Sequence, residues 1–249
     1  MLAWTEDSAV IRISKGIVAT KEALLLIPGV GSDHRLWEHQ VCHLGDLADI
    51  RVEVPCRSPS RAEAVAELLQ KAPDRFALAG QSYGGWLGQV VAATAPERVS
   101  KLMLFHTFSR LTDAHLETFR HWVDLIDQNH LTPSLQASLT GAVHPRRLKD
   151  RNFLETLYTM QQAFPLEGRR NQLQAIINEY ETASLLPDIV CPTLVVHARE
   201  DSVFSLEEHQ YMAQHITGAK LTILEECGHM GPLEQPQAVT ALMRLWLSL

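Results

Sequence analysis

Apolar residues along the chain fall into short unbroken runs separated by segments of helical period. Residues 23–27 read ALLLI and stop at Pro28-Gly29, and residues 50–54 read IRVEV and stop at Pro55. Runs of similar length occupy 76–79 (FALA), 102–105 (LMLF), 193–196 (TLVV) and 221–224 (LTIL). Gly or Pro punctuates most of them, which predicts strands buried on both faces. Between the runs, residues 61–71, 83–94, 206–216 and 236–247 carry apolar side chains at helical spacing. Strand then helix, repeated, predicts parallel βαβ units wound into an α/β sheet with helices on both faces. A further edge strand is expected at 9–13.

The alternation breaks once. Residues 107–187 contain no buried-strand run, only helical stretches at 112–130, 133–142, 147–164 and 168–185. The last is amphipathic, with Leu173, Ile176, Ile177 and Tyr180 on one face. The expected architecture is a core from 1–106 and 188–249, with 107–187 inserted as a helical cap over one edge of the sheet.

Composition narrows the function. The chain has 249 residues, 46% hydrophobic, with a net charge of −7. That apolar content excludes a disordered acidic chain. The negative balance argues against a nucleic-acid partner, which selects a basic face. The four cysteines, Cys42, Cys56, Cys191 and Cys227, form no C-x-x-C pair and are expected to be reduced thiols. No basic leader followed by an apolar stretch opens the chain, and no apolar run reaches the ~20 residues of a membrane span. A soluble cytoplasmic protein is expected, a monomer or weak homodimer. No Cys/His/Asp cluster has metal-ligand spacing, so neither metal nor organic cofactor is expected.

Gly80-Gln81-Ser82-Tyr83-Gly84 reads G-x-S-x-G between a predicted strand and a predicted helix. In that context the glycines permit a turn too tight for side chains, and the serine presents its Oγ beside a helix N-terminus. A serine hydroxyl needs an adjacent base. Twelve histidines are available, but in this arrangement the partners follow in the order serine, acid, histidine. His229 lies between the last predicted strand and the last helix, after Gly228. His106 and His197, also at strand ends, are further candidates for the pocket. Asp201 follows the fifth strand run and has the required place in the order, with Glu200 as its neighbouring competitor. An oxyanion hole needs two backbone donors. The amides of Tyr83, after the serine, and Val30, in the Gly-rich loop after the first run, are the candidates. That loop carries neither G-x-G-x-x-G nor a Walker lysine, which argues against a nucleotide site.

Taken together, residues 24–37 (LLLIPGVGSDHRLW), 78–85 (LAGQSYGG), 96–105 (PERVSKLMLF), 192–204 (PTLVVHAREDSVF) and 226–236 (ECGHMGPLEQP) resemble the α/β-hydrolase fold. The resemblance runs from about residue 24 to the C-terminus and is closest to small bacterial serine hydrolases with a helical lid. Among these are carboxylesterases, pimeloyl-ester esterases and enol-lactone hydrolases. It implies Asp201 as the acid and fewer strands than the fold's full eight. A dehalogenase or epoxide hydrolase, which in this family carries Asp as nucleophile, does not fit Ser82. Two departures stand out. Pro28-Gly29 replaces the His-Gly common in relatives, and 55–60 (PCRSPS) replaces a longer acidic Gly-rich loop bordering the active site.

The resemblance implies hydrolysis of a small-molecule carboxylic ester through an acyl-enzyme on Ser82. Lactone, acyl-carrier methyl ester or C–C bond hydrolysis uses the same triad, and a non-enzymatic sensor retaining it is the alternative of another class. Phe108, Phe119, Trp122, Tyr158, Met160 and Phe164 are the candidate pocket lining, each with a plain packing role as its competitor. Two basic pairs, Arg146-Arg147 and Arg169-Arg170, read either as solvated helix ends or as a site for an anionic group.

Overall fold

The computed structural model describes residues 21–128 and 141–249. Six strands form one sheet: β1 (Glu22–Ile27), β2 (Ala48–Val52), β3 (Phe76–Gln81), β4 (Val99–Phe105), β5 (Thr193–Ala198) and β6 (Lys220–Leu224). Their spatial order is β2-β1-β3-β4-β5-β6, and every pairing is parallel. The predicted edge strand at 9–13 and most of the predicted helix at 133–142 lie outside the described residues.

The continuous apolar runs arise because both faces of the central strands are covered. Leu25, Ile27, Leu78, Leu102, Leu104 and Val195 point into a core shared with α2 (Arg61–Lys71), α3 (Tyr83–Thr94) and α7 (Leu206–His215). Their neighbours in sequence, Leu24, Leu26, Ala77, Ala79, Met103 and Val196, point the other way, under α1 (Glu38–Leu44) and α9 (Pro236–Ser248). Alternation between two apolar cores leaves no polar position in the run. At the edge the rule relaxes: β2 alternates buried and exposed residues and lies at Ala48–Val52, two residues before the predicted run. Helix α1, preceded by a single 3₁₀ turn at His34–Trp37, is an element additional to those predicted. It buries few residues and carries a weak apolar period, with Gln40 and Leu44 its buried positions.

Between β4 and β5 the described chain is helical: α4 (Asp113–Asp127), α5 (Arg151–Ala163) and α6 (Leu166–Glu179), followed by a 3₁₀ segment at Ala183–Asp188. Four of these helices, α2, α4, α5 and α7, begin with a side-chain cap. Ser60, Thr112, Asp150 and Ser205 each accept a bond from an amide in the first turn of the helix they precede. No helix among the described residues is long and apolar enough to cross a membrane.

Candidate active site

Ser82 occupies the turn from β3 to α3 with φ 53° and ψ −117°. A serine gains nothing locally from that conformation, so the surroundings hold it there. Its N–H donates to the Phe105 carbonyl at 3.0 Å, and its own carbonyl accepts from Thr107 Oγ1 at 2.6 Å and from the Trp86 amide at 3.0 Å. The glycines of the motif are required by close approach. A Cβ at residue 80 would lie 2.2 Å from the Gly84 carbonyl oxygen, and one at residue 84 would lie 2.1 Å from that of Ile27. The other two described non-glycine residues with positive φ are His106 (46°) and Glu226 (54°), which follow β4 and β6. Backbone strain is thus gathered at the carboxyl edge of the sheet.

At that edge His229 Nδ1 lies 3.1 and 3.0 Å from the two oxygens of Asp201. An ionised carboxylate only accepts, so Nδ1 donates and Nε2 is left free to accept a proton. Asp201 is buried, and burial opposes its charge. The adjacent His229 ring and its hydrogen bond, His106 and the Val203 amide outweigh that penalty and hold its pKa at about 2. Oδ1 also accepts from the amides of Val203 at 2.8 Å and Phe204 at 3.2 Å. Glu200 points elsewhere, accepting from the Cys227 amide at 2.9 Å.

Three supports of the histidine loop lie outside the sequence reading. Glu234 is buried, its pKa raised by burial, and it accepts from the amides of Gly228 (3.0 Å), Met230 (2.9 Å) and His144 (2.7 Å). Gln81 donates to the His229 carbonyl at 2.8 Å. The His229 amide donates to the Ala142 carbonyl at 2.7 Å, tying the loop to the helical segment. Only the acid five residues beyond His229 in G-H-M-G-P-L-E offers a sequence cue, since it falls on a short helix, α8 (Gly231–Glu234), that folds it back.

Tyr83 opens α3, so its N–H is an orphan donor of the helix start. The Val30 amide has no partner among the described residues, whereas the next amide, Gly31, donates to Gln172 Oε1 at 2.9 Å. Val30, Ser82 and His229 border one cavity of about 80 Å³, walled by Phe108, Phe119, Trp122, Ile176 and Phe204. Of the five aromatics expected to line the pocket, Phe108, Phe119 and Trp122 do so. Tyr158 and Phe164 do not. The buried face of α5 is formed by Phe153, Leu157, Met160 and Gln161, which turns Tyr158 off that face. Phe164 ends the helix and packs against Gly168 at the start of α6. Met160, also a candidate, packs in the core under α9.

His106 and His197 do not border the cavity. His106 is fully buried behind His229, ring centroids 6.5 Å apart, and burial lowers its pKa to about 3. Burial likewise lowers His197. Of the arginine pairs, Arg146 pairs with Glu226 and Arg170 with Asp127 at 2.7 Å, both at the surface, and the half-buried Arg147 pairs with Asp150 at 3.0 Å. Arg169 departs from the reading of solvated helix ends: it is 2% exposed and borders the cavity. All four cysteines are free thiols, and burial raises the pKa of Cys227. Among the described residues no group of three or more His, Cys, Asp or Glu is placed to hold a metal ion.

A family described as the alpha/beta hydrolase fold matches residues 27–236, and the chain belongs to that family. Among curated relatives, 3-oxoadipate enol-lactonase 2 of Acinetobacter baylyi is 24% identical over 234 residues, spanning 88% of this chain and 86% of that protein. The pimeloyl-acyl-carrier-protein methyl ester esterase of Neisseria meningitidis is 26% identical over 209 residues, 77% of each. The crystal structure of the enol-lactonase from Burkholderia xenovorans LB400 superposes with a TM-score of 0.84 at 19% identity, covering 92% of both chains.

Proposed function

We propose that the protein is a serine hydrolase of carboxylic esters, with Ser82 as nucleophile, His229 as general base and Asp201 as its orienting acid. The observation that carries this reading is that His229, hydrogen-bonded to the buried Asp201 behind it, borders the same cavity as a serine held at positive φ. Ser82 Oγ attacks the ester carbonyl while His229 Nε2 takes its proton. The carbonyl oxygen becomes an oxyanion between the amides of Val30 and Tyr83. His229 then protonates the leaving alcohol, and the same ring activates a water that releases the acid and restores Ser82. Asp201 stays ionised throughout and stabilises the imidazolium. Helices α4 to α6 act as a lid, the insertion of 107–187 over a core of 1–106 and 188–249.

The relatives named for an enol-lactone and for a methyl ester support an ester or lactone carbonyl as the reacting group. A lactone is an internal ester, so the same steps open it. The test is labelling by a fluorophosphonate probe followed by peptide mass mapping. A phosphonylated Ser82, absent in Ser82→Ala, is the expected result. Failure to label with the fold intact overturns the reading in favour of a ligand-binding pocket without turnover.

A further inference from the structure

A buried charge normally has a partner, because removing it from water without one is strongly unfavourable. Arg169, at the start of α6, is 2% exposed. Burial lowers its pKa only to about 10, so it is charged near neutral pH. Nη2 donates to the Gln161 carbonyl at 2.6 Å, while Nε has no partner among the described residues. No carboxylate of the described residues pairs with it, unlike its surface neighbour Arg170. Outside the described residues, 129–140 contain neither Asp nor Glu, and 1–20 contain only Glu6 and Asp7.

The guanidinium lies against the candidate oxyanion loop. A Cβ at Gly31, whose φ is +65°, would meet its central carbon at 2.7 Å, so the loop leaves this space to the arginine. A Cβ at Gly29, two residues earlier, would lie 3.2 Å from the Ser82 Cβ, so that end of the loop runs beside the serine. Arg169 and Ser82 border the same cavity, whose walls are otherwise mostly apolar. A guanidinium presents planar paired donors that match a carboxylate. One cation in an apolar cavity is neutralised by one negative charge. A phosphate dianion would leave an excess charge there.

We infer that Arg169 binds a carboxylate on the substrate itself, making this a hydrolase of short esters or lactones whose acyl part carries a free acid group. The inference rests on the proposed reaction at Ser82 and adds the class of substrate. The short path through Gly29–Gly31 places the acid a few carbons from the reacting carbonyl.

Monomethyl glutarate and methyl pentanoate are matched in length and differ in the terminal carboxylate, and hydrolysis of either is followed by proton release. The intact protein is expected to prefer the acid-bearing ester in kcat/KM. Arg169→Gln should lower the ratio of the two kcat/KM values on the order of 10–100-fold, mainly through KM. Arg169→Lys should retain part of it, and the surface variant Arg170→Gln all of it. No preference in the intact protein, or an equal loss on both esters in Arg169→Gln, overturns the inference. Binding to Ser82→Ala, read by calorimetry, separates the two proposals. Monomethyl glutarate binding more tightly than methyl pentanoate supports the anion site even when no turnover occurs. Equal binding of the two refutes that site whatever the chemistry at Ser82.

Discussion

The carboxyl edge of the sheet and the helices between β4 and β5 meet at one cavity, and they are built on different principles. At the sheet edge every candidate reacting group is held by backbone. Ser82 is fixed through its amide and carbonyl, and His229 through the turn that Glu234 gathers. Close-approach glycines permit no side chain there. The helical side contributes Phe119, Trp122, Ile176 and Arg169, side chains on regular helices that can be exchanged without disturbing a strained turn. Chemistry that tolerates little displacement sits on the scaffold, and selection among substrates sits on faces free to vary.

Breaking the sheet side should give the largest effects. Ser82→Ala is expected to lower kcat by roughly 10⁶ on any accepted ester while leaving the urea midpoint near that of the parent protein. Asp201→Asn should cost about 10⁴ in kcat, since the amide favours the wrong tautomer of His229, again without unfolding. A loss confined to KM in either variant would dissolve the contrast between the two sides.

The helical side should respond in selectivity instead. Trp122→Ala enlarges the cavity, and the ratio of kcat/KM for a longer over a shorter acyl chain should rise about 10-fold, in keeping with the energy of a buried methylene. A uniform fall on all chain lengths would place Trp122 with the packing of the helices and not with the pocket.

A last effect, on stability alone and without change in activity at neutral pH, comes from beneath the sheet edge. His106 and His209 are buried, which lowers their pKa values to about 3 and about 4. The unfolded chain therefore binds protons first, at about 6.5. Between that value and the folded values stability rises with pH, by up to about 1.4 kcal/mol per pH unit for each group. Urea midpoints should fall steadily from pH 7 to pH 5, and His209→Gln should flatten the slope. A flat profile in the parent protein would show that these rings take up protons while folded.

Much of this was readable from the residue order. Leu24–Ile27 and Leu102–Phe105 announce central strands because both of their faces meet apolar cores. Gly80 and Gly84 around Ser82 announce the tight turn because no other residue type fits the contacts they make. Edge strand β2 was less legible, because one covered face gives a weaker pattern and Pro55 does not mark its end. Tyr158 shows the limit for the helices. Helical period tells which residues share a face, but not which neighbour that face meets.

Arg169 and Arg170 mark the boundary most plainly. As letters they are two adjacent arginines in an acidic chain, and local sequence assigns them the same fate. One step around α6 separates a guanidinium paired with Asp127 at the surface from one enclosed beside the candidate nucleophile. The sequence by itself determined the fold, the turn at Ser82 and the order of its candidate partners, because these follow from period, turn sterics and chain order. Only the tertiary structure decided which charge lies in the cavity. Burial and pairing depend on neighbours that the chain brings together from more than a hundred residues away, as Gly31 and Gln172 are.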